Sequence, residues 1–250
     1  MDIKFTMVGC ACFIIDIDGK FKFGCDPALA PKGTEYDSGL IVRTTEPVYD
    51  NSTFNDIDFW ILTHAHFDHL DEKGAEKIKD KSMVISSKEC HKLLDARKSL
   101  KVDYLEWLEK KSFNIKNYKI EVEAVRALHG TTAAMQKSMS TVNGYVISIF
   151  DGKETKKVYI TGDTIYSKKV ISRPKDISID LLIANMGEAK LGMKGDPITL
   201  SILMLKKFIK HLKPSAVVSV HVDDFSHFTI SRTALELISN VPKNGETISI

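Results

Sequence analysis

Six consecutive residues, His64-Ala65-His66-Phe67-Asp68-His69, hold three imidazoles and a carboxylate. They follow directly on the apolar run of residues 57–63, which reads as a buried strand. Such a chain must present polar, ligand-type side chains where a strand leaves the core. In an extended segment residues two apart share a face, so His64 and His66 can reach one ion, while a turn at Asp68-His69 presents the next two side chains to a second. Neutral imidazole is the commonest protein ligand for metals. A solvated polar loop explains one histidine at such a place better than it explains four ligand residues in this order.

The rest of the chain repeats the association of polar residues with strand ends. Strands are expected over residues 3–8, 12–17 and 21–25, with a turn at Asp18-Gly19, as an antiparallel opening. Residues 26–55, with Pro27, Pro31 and Pro47 and little periodicity, read as a long surface segment of the kind that covers a site. Helices over 71–79 and 88–97 flank a strand over 83–86, and residues 99–117 fit neither period. Strands over 118–125, 143–150 and 157–161 place His129 in the first connection and Gly162-Asp163 just after the third. The last third alternates: strand 180–185, helix 197–212 with Pro197 in its first turn, strand 216–220, helix 230–240 and strand 247–250. Met186-Gly187, Met193 and Gly195-Asp196 are expected to form loop and helix-start structure near the site. A strand-rich first part followed by alternation gives the expected class, α/β in the α+β sense, with two sheets face to face and helices outside. At 250 residues the chain is expected to form a single domain over 1–250.

Composition narrows the function. With 43% hydrophobic and 27% charged residues the chain is an ordinary globular protein, and no apolar run approaches the ~18 residues of a spanning helix. A net charge of +2, from 35 basic and 33 acidic side chains, disfavours a polyanionic partner such as nucleic acid. The first nine residues have neither the apolar core nor the cleavage site of a signal peptide, so the cytoplasm is the expected location. Cys10, Cys12, Cys25 and Cys90 make no disulfide framework and read as buried thiols. Gly-x-Ser-x-Gly and a Gly-rich phosphate loop are both absent from the sequence.

The His-x-His-x-Asp-His motif resembles the signature of the metallo-β-lactamase superfamily. Three further segments follow in that family's order: Ala127-Leu128-His129-Gly130, Tyr159-Ile160-Thr161-Gly162-Asp163-Thr164 and Val218-Ser219-Val220-His221. Taken singly, Asp163 is an ordinary turn residue and His221 is as well explained by the core as by a metal; the set stands together. The resemblance spans nearly the full chain. It implies a four-layer αββα sandwich of two mixed β-sheets with helices on the outer faces. It also implies a dinuclear centre with His64, His66 and His129 on one ion, Asp68, His69 and His221 on the other, and Asp163 bridging. A metal-activated hydroxide would be the nucleophile, with Asp68 orienting it as well as binding metal. Imidazole and carboxylate ligands suit zinc, with manganese or iron as the other occupants.

Val8-Gly9-Cys10-Ala11-Cys12-Phe13-Ile14-Ile15 and Cys25-Asp26-Pro27 are similar to the branch containing L-ascorbate-6-phosphate lactonase and N-acylphosphatidylethanolamine-hydrolysing enzymes, although Cys10 stands where that branch commonly has histidine. The tail His221-Val222-Asp223-Asp224-Phe225-Ser226-His227-Phe228 resembles its His-rich end. There His227 either donates a proton to the leaving group or merely starts the last helix. The expected activity is hydrolysis of a small-molecule ester, lactone or phosphodiester. A non-catalytic metal-dependent binding or sensing protein and a nuclease are the alternatives, and the oligomeric state, homo-oligomer included, is left open.

Overall fold

The computed structural model describes residues 1–190 and 195–250, so Met193 lies outside the described residues. The chain forms two compact units. One comprises Met1–Leu105, Asp223–Ser226 and Pro242–Ile250; the other comprises Glu106–Val222 and His227–Val241.

The first unit carries β1 (Ile3–Gly9), β2 (Cys12–Ile17), β3 (Phe21–Cys25), β4 (Glu35–Tyr36), β5 (Ile41–Val42), β6 (Phe59–Leu62), β7 (Met83–Ser86) and β8 (Lys101–Tyr104). Its large sheet runs from the last strand of the chain, Thr247–Ser249, through β1, β2, β3, β6 and β7 to β8. The expected meander β1 to β3 is antiparallel, and from β3 onward the pairings are parallel. Every residue of β6 is buried, as a parallel strand in mid-sheet requires. Trp60 packs with Ile14, Phe54 and Val84 at the centre of this core. Gly24, paired with Trp60, makes room for it: a Cβ there would stand 2.5 Å from the indole.

Behind β6 the ligand motif turns into the helix Glu72–Lys77, whose N-cap Asp71 accepts from Gly74 N at 2.6 Å. The other Asp71 oxygen accepts from Ala30 N at 2.6 Å, and a Cβ on Gly74 would meet Pro27 O at 1.4 Å. The helix start is thereby pressed onto the loop that follows β3.

The second unit carries β9 (Lys110–Ile115), β10 (Tyr118–Arg126), β11 (Asn143–Phe150), β12 (Thr155–Ile160), β13 (Leu181–Asn185) and β14 (Ala216–Val220), in the order β14-β13-β12-β11-β10-β9. Pairings are antiparallel from β9 to β12 and parallel from β12 to β14. Helix Ile202–Leu212 buries Leu205, Phe208 and Leu212, a helical-period stripe, in the core that also holds Tyr159 and Leu182.

Several elements differ from the sequence expectation. The helix expected from Pro197 starts at Ile202, because Ser201 is the cap, accepting from Met204 N, and Pro197 forms a β-bridge with Lys190. The helix expected over 230–240 contracts to Arg232–Glu236, capped by Ser231, and that over 88–97 becomes a 3-10 turn, Lys88–Cys90, and a short helix, His91–Leu94. The unassigned residues 99–117 supply β8 and β9. Unforeseen short helices, Ala133–Ser138 and Lys168–Ile171, begin at the caps Thr132 and Ser167. The result is a mixed α/β fold with two large mixed sheets and helices.

Candidate metal centre

In the first unit the parallel pairing of β3 and β6 brings Asp26, at the end of one strand, against Thr63 at the end of the other. Asp26 Oδ1 accepts from Thr63 N at 2.7 Å, and Oδ2 accepts from Thr63 Oγ1 at 2.6 Å and from His69 Nδ1 at 2.7 Å. The Thr63 hydroxyl hydrogen is thus directed to Asp26, so its oxygen is an acceptor for His64 Nδ1 at 3.1 Å. Both imidazoles carry their proton on Nδ1 and keep the Nε2 lone pair for a ligand. Nε2 of His64 lies 3.0 Å from Nδ1 of His66, a separation that suits two lone pairs turned to one ion. The chain then turns, with His69 N and Leu70 N both donating to His66 O, and buries Asp68 and His69.

In the second unit His129 Nδ1 donates to Ile198 O at 2.8 Å, which again leaves Nε2 as the ligand atom. That Nε2 lies 3.7 Å from Asp163 Oδ2, and His221 Nε2 lies 3.9 Å from the same oxygen. These separations exceed a hydrogen bond. They approach the edge of a coordination tetrahedron, about 3.4 Å for bonds of about 2.1 Å. Asn185, ending β13, holds the carboxylate from its other side, with Nδ2 3.4 Å from Asp163 Oδ1. His221 leaves β14 with φ +61°, a conformation rare for a residue with a Cβ. Gly187 gives it space: φ there is +93°, and a Cβ would stand 3.2 Å from His221 Nδ1.

Each unit therefore gathers its own part of the expected set, His64, His66, Asp68 and His69 in one and His129, Asp163 and His221 in the other. All seven are candidate metal-binding residues, and all but His66 are buried. The donor chemistry fits a borderline divalent ion: imidazoles, with Nδ1 of His64, His69 and His129 held by hydrogen bonds, two carboxylates and no thiolate. His227 is half-buried, its ring 4.6 Å from Phe228, which packs at 4.2 Å on His221. Asp26, Thr63 and Asn185 were missed as site residues. The available signal was the one that marked the ligands, a polar residue at the exit of an apolar strand.

Two large mixed sheets with histidine and aspartate clusters at their strand ends define a fold of the metallo-hydrolase superfamily. The chain belongs to the Beta-lactamase superfamily domain family, whose model matches residues 37–222. It is similar to UPF0173 protein YddR of Bacillus subtilis (strain 168), with 24% identity covering 98% of this chain and 99% of that one. Among solved structures it resembles one described as a possible metal-dependent hydrolase from Veillonella parvula DSM 2008, with TM-score 0.84, 19% identity and full coverage of both chains. An isothiocyanate hydrolase from Delia radicum gut bacteria matches with TM-score 0.79 and 22% identity, over 99% of this chain and 98% of that one.

Proposed function

We propose that the protein is a metal-dependent hydrolase acting as one domain over residues 1–250, with His64, His66 and His129 ligating one ion, Asp68, His69 and His221 a second, and Asp163 shared. The observation that carries this reading is the committed Nδ1 of His64, His69 and His129, each held by Thr63, Asp26 or Ile198 so that Nε2 is left for a ligand. The family match over residues 37–222 includes ligands of both units and supports their acting together. Two zinc ions, or manganese or iron in their place, supply when bound a water acidified to a pKa of roughly 7 and positive charge for the substrate oxygen.

The chain's own groups do the rest. Asp68 accepts a hydrogen bond from the attacking water and fixes its direction. Asp26 keeps the His69 ring from rotating, and Asn185 does the same for the Asp163 carboxylate. His227, beside Phe228, donates the proton that the leaving group takes up. The substrate class is a small-molecule ester, lactone or phosphodiester, in keeping with the resemblance to the lactonase branch, and the similarity to an isothiocyanate hydrolase adds a fourth bond to test. The cytoplasm suits four buried cysteines that form no disulfide, and among the described residues no helix is long and apolar enough to cross a membrane.

The test is turnover of lactones, carboxylic esters, phosphodiesters and isothiocyanates by wild type and Asp163→Ala, with metal content recorded. Metal-loaded wild type should hydrolyse one class, and Asp163→Ala should lose at least about a hundredfold, the scale of a lost charge-stabilising group. Full activity in Asp163→Ala would refute the shared carboxylate, while metal uptake with no turnover on any class would favour a sensing role. In the same assay His227→Gln should keep its metal and lose about a hundredfold in kcat. Unchanged turnover removes His227 from the chemistry.

A further inference from the structure

Phe67 stands between His66 and Asp68 in the ligand motif and stays half-buried. Tyr36 lies flat on it, with ring centroids 4.0 Å apart and planes 15° from parallel. Phe225 completes the cluster, edge-on to Phe67 at 5.6 Å and tilted to Tyr36 at 6.0 Å. A near-parallel pair at this distance is a stacked arrangement, and Tyr36 itself is half-buried. Stacking and partial burial fix the ring on Phe67, but they do not position the hairpin that carries it.

The backbone does. Tyr36 belongs to the hairpin β4–β5, whose turn holds three successive left-handed residues, Asp37 (φ +50°), Ser38 (φ +55°) and Gly39 (φ +85°). For the two residues with a Cβ this costs on the order of 1 kcal/mol or more each. The base of the hairpin is fastened instead. Buried Arg43 donates from Nη1 to Ala28 O at 2.9 Å and from Nε to Thr45 O at 3.2 Å, and its guanidinium lies 5.5 Å above the Phe225 ring. Val42 exchanges hydrogen bonds with Ser226, donating to Oγ at 3.0 Å and accepting from N at 2.9 Å. Strain retained in a hairpin that buries little of itself marks a positioned working part.

We propose that residues 35–42 select the substrate: Tyr36 and Phe67 form a rigid aromatic wall beside His66 and Asp68, on which a flat apolar group of the substrate stacks while its hydrolysable group reaches the ions. The proposal rests on the metal-centre reading above and adds to it the class of group carried next to the scissile bond, an aromatic or comparably flat one. Burial raises the Tyr36 phenol above its ordinary pKa, with the Asp71 carboxylate adding to the effect, so its O–H stays a neutral donor at the rim of the wall.

The experiment uses the zinc-loaded full chain and two probes with the same zinc-binding group, acetohydroxamate and benzohydroxamate. Wild type should bind benzohydroxamate about tenfold or more tighter, the value of one stacked ring. Tyr36→Ala should bring the two affinities to within about twofold while leaving zinc content and acetohydroxamate binding unchanged, and Tyr36→Phe should keep the preference. Equal affinities in wild type, or an undiminished preference in Tyr36→Ala, overturn the wall while leaving the metal centre standing. A protein that takes up no zinc overturns the centre and the wall with it.

Discussion

A buried carboxylate that accepts three hydrogen bonds is at once a structural and a chemical device. Asp26 is fully buried, and its partners are Thr63 twice and His69 once. Asp26→Asn keeps the size but places an amide where one oxygen accepted, and it can no longer hold the His69 proton as a charge-assisted partner. Zinc affinity should fall by about 10–100-fold, the usual effect of losing the group that orients a ligating histidine. Competition with a chromophoric chelator measures it, and an unchanged circular-dichroism spectrum separates the loss from misfolding. Equal zinc affinity in the variant would show that His69 needs no orienting partner.

Among the elements, β10 is tied to the segment after helix Lys168–Ile171 by one ion pair. Arg173 donates from Nε and Nη2 to the two Glu123 oxygens at 2.5 and 2.8 Å, and Lys110 Nζ of β9 stands 3.4 Å from the same carboxylate. The Arg173 hydrogen bonds hold the Glu123 carboxyl below its ordinary pKa, against the opposing effect of burial. A depressed carboxylate stabilises the fold fully above its unfolded pKa, about 4.3, and that contribution fades as pH falls through the lower folded value. Glu123→Gln should therefore lower stability by about 1 kcal/mol at pH 7, a modest figure because Arg173 is partly exposed, with the difference shrinking in acid. Melting temperatures between pH 3 and 7 check it, and a gap that widens in acid would contradict the sign.

At this scale the limits of the sequence also become clear. His64 to His69 were legible because the motif is contiguous and follows an unmistakable apolar run. Asp26 was not, because its role exists only once β3 and β6 pair in parallel across a long intervening segment. Pro197 pointed to a helix start, yet the local competition was won by Ser201, whose side chain can cap where proline only permits. β9 lies at the edge of its sheet with alternate residues exposed and none fully buried, so it lacks the apolar row that makes a strand readable. Tyr36 carried no signal at all, since a two-residue strand has no period.

For the molecule as a whole, the four cysteines report on one unit, because all of them lie in residues 1–105 and all are buried thiols outside any disulfide. Burial pushes the Cys12 and Cys25 thiols well up and that of Cys90 to about 12, so they remain unreactive thiols at neutral pH. A disulfide reagent at pH 8 should find no fast thiol in the native protein and four in denaturant. Rapid native labelling would mean that this unit opens readily.

The same unit is assembled from segments far apart in sequence. Thr247–Ser249 pairs with β1 in the register Lys4↔Ser249, Phe5↔Ile248 and Thr6↔Thr247. During synthesis β1 leaves the ribosome long before its partner, and its outer rim stays an open template until that partner emerges. Nascent copies on one message are then exposed to pairing with each other at that rim, and residues 247–249 are the ones that withdraw the invitation.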